Sequence, residues 1–317
     1  MPSSEIRGVL SVGEVLAAFV PDTGEAFRRA RQVHRFTVGA EANVAVAASR
    51  LGIKSTCISR VGADLLGQGI LDDLRHEGVD TSLVEVDSTG FTGSLIRETP
   101  APGATRVTYR REGSAGSQLS PAQITREAVE AHSHVHASGI TVALRPAARD
   151  TVRKLFSQAR SARRTISFDM NYRSQLWTPT EAGPVLREYA LLADIIIGGR
   201  TEWEIAFGSA ELTPEMVPNA ALAIVTDGDQ DIQVHGDGKT VSLSPFPSSV
   251  VDPVGAGDGF VGGLIAGLIA GLSTEDAVRQ GAYCGSQVVS RLGDWTGLPF
   301  GSRGIVEIPH NAGEVRR

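Results

Sequence analysis

The run Val251-Asp252-Pro253-Val254-Gly255-Ala256-Gly257-Asp258-Gly259-Phe260 sets two glycines and an alanine directly ahead of a carboxylate. Small side chains at Gly255, Ala256 and Gly257 let the backbone approach a ligand closely. A glycine-rich apolar run, Val261 to Leu268, follows at once and reads as a buried helix. A turn of small residues that opens a helix presents unbonded N–H groups and the positive end of the helix dipole, which suits a phosphate. Asp258 falls in the first turn of that helix, where a carboxylate is held ionised beside the cradle. This is the combination a base needs for phosphoryl transfer to an alcohol.

The elements that must position this turn alternate along the chain. Gly8 to Phe19 reads as a strand, Ala42 to Leu51 as a helix ending at Gly52, Ser55 to Val61 as a strand, and Leu65 to Glu77 as a helix closed by Gly78. His134 to Ser138 and Thr165 to Asn171 read as strands flanking a helix from Arg145 to Ala162, with further short strands over Ala193 to Gly198 and Ala221 to Thr226. Such βαβ alternation predicts an α/β fold, with a mostly parallel central sheet covered on both faces and ligands at the carboxyl ends of its strands. Two stretches break the rhythm: Val33 to Val38 and Gly93 to Arg111 alternate polar and apolar residues and read as antiparallel strands, with a turn near Pro100 to Gly103. They predict a small β-sheet lid, built from about 14–38 and 91–112, within a single domain over 1–317. Arg97, Tyr109, Arg110 and Arg111 stand where they could reach from that lid onto a substrate.

With 41% hydrophobic residues, the 317-residue chain can bury a sizeable core. A net charge of −6 argues against nucleic acid as the main partner. Cys57 and Cys284 stand far apart with no C-x-x-C spacing, so neither a disulfide framework nor a zinc site is expected. Met1 to Arg7 shows no basic stretch followed by an apolar core, and the longest apolar helix, about Phe260 to Leu272, falls short of the roughly 20 residues of a membrane span. A cytoplasmic protein without a membrane partner is expected. His132, His134 and His136 share a strand face, but no nearby carboxylate or cysteine completes a metal site, and a structural role is favoured.

Gly39-Ala40-Glu41-Ala42-Asn43-Val44-Ala45, with Gly52 and Gly62 after it, resembles the first signature of the ribokinase-like (PfkB) carbohydrate kinases, and Asp252 to Leu264 resembles the second. The resemblance extends from Gly13 to about Pro299 and implies the ribokinase-like three-layer fold. Intermediate segments resemble the 2-keto-3-deoxygluconate kinases of that family: Gly90 to Gly93, Tyr109 to Ala115, Ser138 to Thr141, Asp169 to Arg173 with Leu176-Trp177, and Gly293-Asp294.

The resemblance implies ATP and Mg²⁺ as cofactors, with a monovalent cation as a further candidate, and a sugar or sugar acid as the small-molecule partner. Asp258 would take the proton of the acceptor hydroxyl, while the N–H groups of Gly255, Ala256 and Gly257 hold the charge on the moving phosphoryl group. Glu202 matches an acidic position that helps hold Mg²⁺ through water. Arg111 and Arg173 match substrate contacts, and guanidinium forks suit a carboxylate. Tyr109, Gly39 and Asn43 match the lining of the same pocket, and Asp294 a further contact. Plainer readings stand beside these: Arg173 paired with a surface acid, Arg110 rather than Arg111 inward, Tyr109 as lid packing, Asn43 as a helix cap, Glu202 solvated.

The nucleotide side, marked by Thr226, Gly228, Gly255 and Gly257, departs from the pattern. Where the family usually has Lys-x-Gly-x-x-Gly, this chain reads Thr226-Asp227-Gly228-Asp229-Gln230-Asp231, and its three aspartates form an unhelpful field for a polyphosphate. Leu95 stands where close relatives often have a tyrosine. The expectation is an ATP-dependent kinase acting on the 6-hydroxyl of 2-keto-3-deoxygluconate. The alternatives are a fructokinase or other kinase of the family, or a sugar-binding relative without catalysis. A dehydrogenase is disfavoured, because the first strand runs into Gly13-Glu14-Val15-Leu16 without a glycine fingerprint. Self-association through the lid's sheet edge is expected.

Overall fold

The computed structural model describes residues 8–22, 24–99, 105–236 and 238–309. The opening segment does not form one strand. Strand β1 (Val9–Val12) lies in one sheet and β2 (Leu16–Val20) in another, with Gly13, Glu14 and Val15 crossing between them. Every residue from Val9 to Val15 is buried, so the apolar pattern continues through the break and hides it from a reading of periodicity.

After β3 (His34–Val38) the chain enters α1 (Ala40–Arg50), then β4 (Ser55–Gly62), α2 (Leu65–His76) and β5 (Val84–Asp87). Strands β6 (Ser94–Glu98) and β7 (Arg106–Arg110) follow, then the short α3 (Arg126–Glu130) and β8 (His134–Ser138). Next come α4 (Gly139–Leu144), α5 (Pro146–Ser161), β9 (Thr165–Asp169), α6 (Pro179–Ala190), β10 (Ile195–Gly199) and α7 (Arg200–Phe207). The last elements are β11 (Leu222–Thr226), β12 (Ile232–Gly236), β13 (Lys239–Leu243), α8 (Ala256–Ala270) and α9 (Thr274–Val288).

Among the described residues the main sheet has nine strands in the order β13-β12-β11-β10-β9-β8-β1-β4-β5. It is parallel from β11 to β5, while β12 and β13 run antiparallel at one edge. Alternate residues of a strand serve opposite faces: Val9 joins the core under α1, α8 and α9, whereas Leu10 joins the core under α5, α6 and α7. Ile195 and Ile197 divide from Ile196 in the same way. Two apolar layers on one sheet make a three-layer α/β/α fold, as the resemblance implies.

On one face the helices approach closely because α8 is poor in side-chain bulk. A Cβ at Gly262 would collide with Ala47 of α1, and one at Gly263 would lie 2.8 Å from Cys284 Sγ of α9. Gly262 and Gly263 therefore serve close packing in the core. No helix among the described residues is long and apolar enough to cross a membrane.

The second sheet orders its strands β3-β2-β6-β7 and forms the lid. The β2–β3 and β6–β7 pairs are antiparallel as expected, but β2 and β6 run parallel, so the lid is mixed rather than antiparallel throughout. The turn expected near Pro100 to Gly103 lies outside the described residues. The three histidines sit in hydrogen-bonded core positions: His132 contacts Ala128 O and Thr56 Oγ1, while His134 and His136 both contact Ser167 Oγ. Burial pushes His134 down to about 4 and His136 to about 3, so both are neutral at pH 7.

Candidate active site

The carboxyl ends of β9, β10 and β11 open on one edge of the parallel sheet, and the residues just beyond them form one wall of a cleft of about 590 Å³. Asp169, Asn171, Arg173, Ser174 and Gln175 come from the end of β9, Gly199 to Glu202 from the β10–α7 junction, and Thr226 to Gly228 from the end of β11. The start of α8 closes the floor with Pro253, Val254, Gly255, Gly257 and Asp258, and the lid contributes Val107 and Tyr109. A parallel sheet leaves such an opening where its strands end and its helices begin.

Gly255 caps α8 with φ of +85°, a conformation open to glycine, and a Cβ there would strike the carbonyl oxygen of Asp294. The helical ladder begins with Gly259 N donating to Gly255 O at 2.8 Å, so the N–H groups of Ala256, Gly257 and Asp258 precede it. Gly257 lines the cleft, and a Cβ there would meet nothing within 4 Å. The floor is thus a helix N-terminus with open space above it, the geometry that receives an anion.

Asp258 is 8% exposed. Asn43 Nδ2 donates to its Oδ2 at 2.6 Å, and Asn171 Nδ2 lies 3.4 Å from its Oδ1. Burial raises its carboxyl to about 7, opposed by the Asn43 hydrogen bond and by Arg173, and reinforced by Asp294 and Glu41. The expectation of a carboxylate held firmly ionised by the helix is corrected here: desolvation outweighs the dipole. A base that titrates near pH 7 is well matched to proton transfer at that pH.

Asp169 stands beside it, its carboxyl raised by burial and by the neighbouring Asp258 and Glu202 charges. Asn171 bonds Asp169 through its backbone N–H at 3.3 Å and its side chain at 3.1 Å, and its φ of +34° is unusual for a residue with a Cβ. That conformation turns the Asn171 amide between Asp169 and Asp258. Glu202 faces the same cleft and accepts from Tyr172 N at 3.2 Å. Asp169 and Glu202 line the same cleft, and two carboxylates with room for water suit Mg²⁺ in its usual partly hydrated state.

Tyr109, Arg173, Glu202, Thr226, Gly228, Gly255, Gly257 and Asp258, all singled out from the sequence, line one cleft. Asn43 and Asp294 lie immediately behind Asp258, with Asn43 Nδ2 also 3.4 Å from Asp294 Oδ2. Gly39 caps α1, and Ala256 follows Gly255 in the cradle, neither of them lining the cleft. Arg111 is the departure. It pairs with the buried Glu14, which also accepts from Ser114 Oγ at 2.9 Å, and its guanidinium lies 5.1 Å over the Tyr109 ring. The two arginines matched to substrate contacts are placed differently: Arg173 lines the cleft, and Arg111 lies over Tyr109 without lining it.

The acidic turn is also less hostile than its composition. Asp227 pairs with Arg200 Nε at 3.0 Å, and Asp231 accepts from Ser242 and Ser244 at the base of the β12–β13 hairpin. Asp169, Asn171, Gln175 and Arg200 were given no role from the sequence. Asp169 and Asn171 had a usable signal, since they end a buried strand of a parallel sheet.

A family model described as pfkB family carbohydrate kinase matches residues 7–300. A 2-dehydro-3-deoxygluconokinase of Bacillus subtilis is 35% identical over 304 residues, covering 92% of this chain and 92% of its own. A 2-dehydro-3-deoxygalactonokinase of Haloferax volcanii is 31% identical over 280 residues, covering 86% of this chain and 88% of its own. Among solved structures, an uncharacterized sugar kinase of Pyrococcus horikoshii in complex with ATP superposes with a TM-score of 0.81 at 25% identity, over 92% of this chain and 95% of that one.

Proposed function

The chain belongs to the pfkB family of carbohydrate kinases, and from that premise we propose that it transfers the γ-phosphoryl group of ATP to the 6-hydroxyl of 2-keto-3-deoxygluconate. The observation that carries this reading is the placement of Arg173 and Tyr109 across one cleft from Asp258 and the open N-terminus of α8. A buried base at a helix N-terminus calls for an alcohol acceptor and a phosphoryl donor. A guanidinium facing the same space calls for an acidic sugar.

Asp258 accepts the proton of the acceptor hydroxyl as that oxygen attacks phosphorus. Asn43 holds Oδ2 at 2.6 Å while Asn171 reaches Oδ1 only at 3.4 Å, so Oδ1 is the less tightly held oxygen and the one that takes the proton. The N–H groups at the start of α8 stabilise the charge that gathers on the transferred group. Mg²⁺, when bound, neutralises phosphate charge, and Glu202 with Asp169 would hold it on the strand-end wall. Thr226, Gly228 and Arg200 line the part of the cleft read as the nucleotide side, and Arg200 offsets the charge of Asp227 there.

The test is a coupled kinase assay at fixed ATP across 2-keto-3-deoxygluconate, its galacto epimer and fructose, with Arg173→Ala measured beside the native protein. The expected result is transfer to a 2-keto-3-deoxy sugar acid, with its KM raised at least tenfold in the variant and the KM of any neutral sugar unchanged. Preference for fructose would sink the sugar-acid reading and leave the kinase standing. No transfer to any sugar, together with no heat of binding for an ATP analogue with Mg²⁺, would sink the kinase itself.

A further inference from the structure

Strand β6 of the lid buries one cation against the core. Arg97 is 3% exposed, and its Nη1 donates to Asp294 Oδ1 at 2.6 Å while Nη2 donates to Asp252 Oδ2 at 2.8 Å. Asp252 belongs to the segment that leads into the cradle: its Oδ1 accepts from Val254 N at 3.2 Å and its Oδ2 from Gly293 N at 3.3 Å. The second oxygen of Asp294 faces the same Asn43 amide that donates to Asp258. One guanidinium therefore joins the lid, the entry to the cradle and the carboxylate beside the base.

Stability alone is a weak explanation for this arrangement. Three charged groups withdrawn from water commonly gain nothing over apolar residues of similar volume. A rigid fork does something apolar packing does not: it fixes two carboxylates at a set spacing and direction. We propose that Arg97 is a positioning residue for the transfer reaction, holding Asp294 toward the acceptor and tying the lid to the cradle. The proposal rests on the reading of Asp294 as an acceptor contact.

The charged and polar groups that face Asp294 are Arg97 from β6, Asn43 from α1, Asp252 from the cradle entry and Asp258 from α8. Burial pushes the Asp294 carboxyl upward and Arg97 pulls it back. Without Arg97, Asp294 takes up a proton at a higher pH, and acceptor binding that needs its charge is lost as the pH falls.

The experiment compares Arg97→Lys and the double variant Arg97→Met/Asp252→Asn, which removes one charge of each sign, with the native protein. Folding is checked by circular dichroism, and KM is measured for 2-keto-3-deoxygluconate and for ATP from pH 6 to pH 9. The expected result is a KM for the sugar acid raised at least tenfold in both variants with the KM for ATP within twofold. In the double variant the sugar-acid KM also worsens more steeply toward pH 6 than in the native protein. Folded variants with a native sugar-acid KM at every pH would make Arg97 a brace between lid and core and overturn the proposal, as would an Arg97→Lys protein that does not fold. Asp294→Asn separates this failure from failure of the underlying reading. An unchanged sugar-acid KM there removes Asp294 from the acceptor site, whereas a raised KM there beside native-like Arg97 variants removes only the role of Arg97.

Discussion

Asn43 Nδ2 stands 2.6 Å from Asp258 Oδ2, joining two buried side chains 215 residues apart in sequence. The contact crosses from α1 to α8, which the small residues Ala47 and Gly262 allow to lie almost backbone to backbone. It leaves the other oxygen, Oδ1, to the longer contact with Asn171 Nδ2 at 3.4 Å. The first signature thus holds the carboxylate of the second, and neither motif contains the whole arrangement.

Asp258→Asn should lower turnover by about 10²–10⁴, the range for loss of a positioned general base, while sugar and ATP still bind. The same change should raise the melting temperature. Burial lifts the Asp258 carboxyl to about 7 in the folded protein, above its ordinary value near 3.8. The folded state therefore binds more protons between those pH values, and the cost of ionisation grows as pH rises through them and is fully present above about 7. Thermal melts at pH 8 and pH 5 check the sign: the gain belongs at pH 8, and a larger gain at pH 5 contradicts the assignment.

The same titration sets the pH profile of the native protein. The ionised base is needed, so kcat/KM should fall about tenfold per unit as pH drops below about 7, and level off above it. Asp169 and Asp294 interact with Asp258, so the midpoint belongs to the group of carboxylates. A flat profile between pH 6 and pH 8 would remove Asp258 as the base.

Gly255→Ala and Gly257→Ala should separate folding from catalysis. At Gly255 the new methyl meets the Asp294 backbone at a φ of +85°, so the variant should be destabilised and inactive together. At Gly257 a methyl meets no protein atom within 4 Å and stands in the cleft. That variant should melt within a few degrees of the native protein yet lose about 10²-fold in kcat as the N–H groups are shielded. Calorimetry beside steady-state kinetics reads both, and equal Tm losses would contradict the contrast.

Asp227→Asn should lower the KM for ATP about two- to fivefold, and Arg200→Ala should raise it by a similar factor. The Arg200–Asp227 pair is partly exposed, so its loss costs little stability, but each charge faces the nucleotide side of the cleft. Both shifts should shrink in 0.5 M salt, which distinguishes a field effect from a change of shape.

Much of this arrangement was legible in the chain. The α8 start, the strands ending at Ser138 and Thr226, and the cleft residues Tyr109, Arg173, Glu202 and Asp258 follow from small-residue turns, apolar runs and matching motifs. What escaped depends on distances between segments far apart in sequence. Arg111 and Arg97 are both lid arginines, and nothing local says that one meets Glu14 and the other Asp252 and Asp294. The break at Gly13 to Val15 was hidden because both sheets bury their strands, and β13 because its residues are largely exposed, whereas β12 carried a short usable alternation from Ile232 to His235.

The lid is threaded rather than appended. Its strands come from two separate excursions, β2–β3 and β6–β7, so the backbone passes between lid and core four times. Four covalent passages tie the sheet to the core. A lid of this kind cannot be excised, grafted or exchanged between protomers by a single cut. Changes of acceptor preference must therefore be made residue by residue on a frame that stays attached.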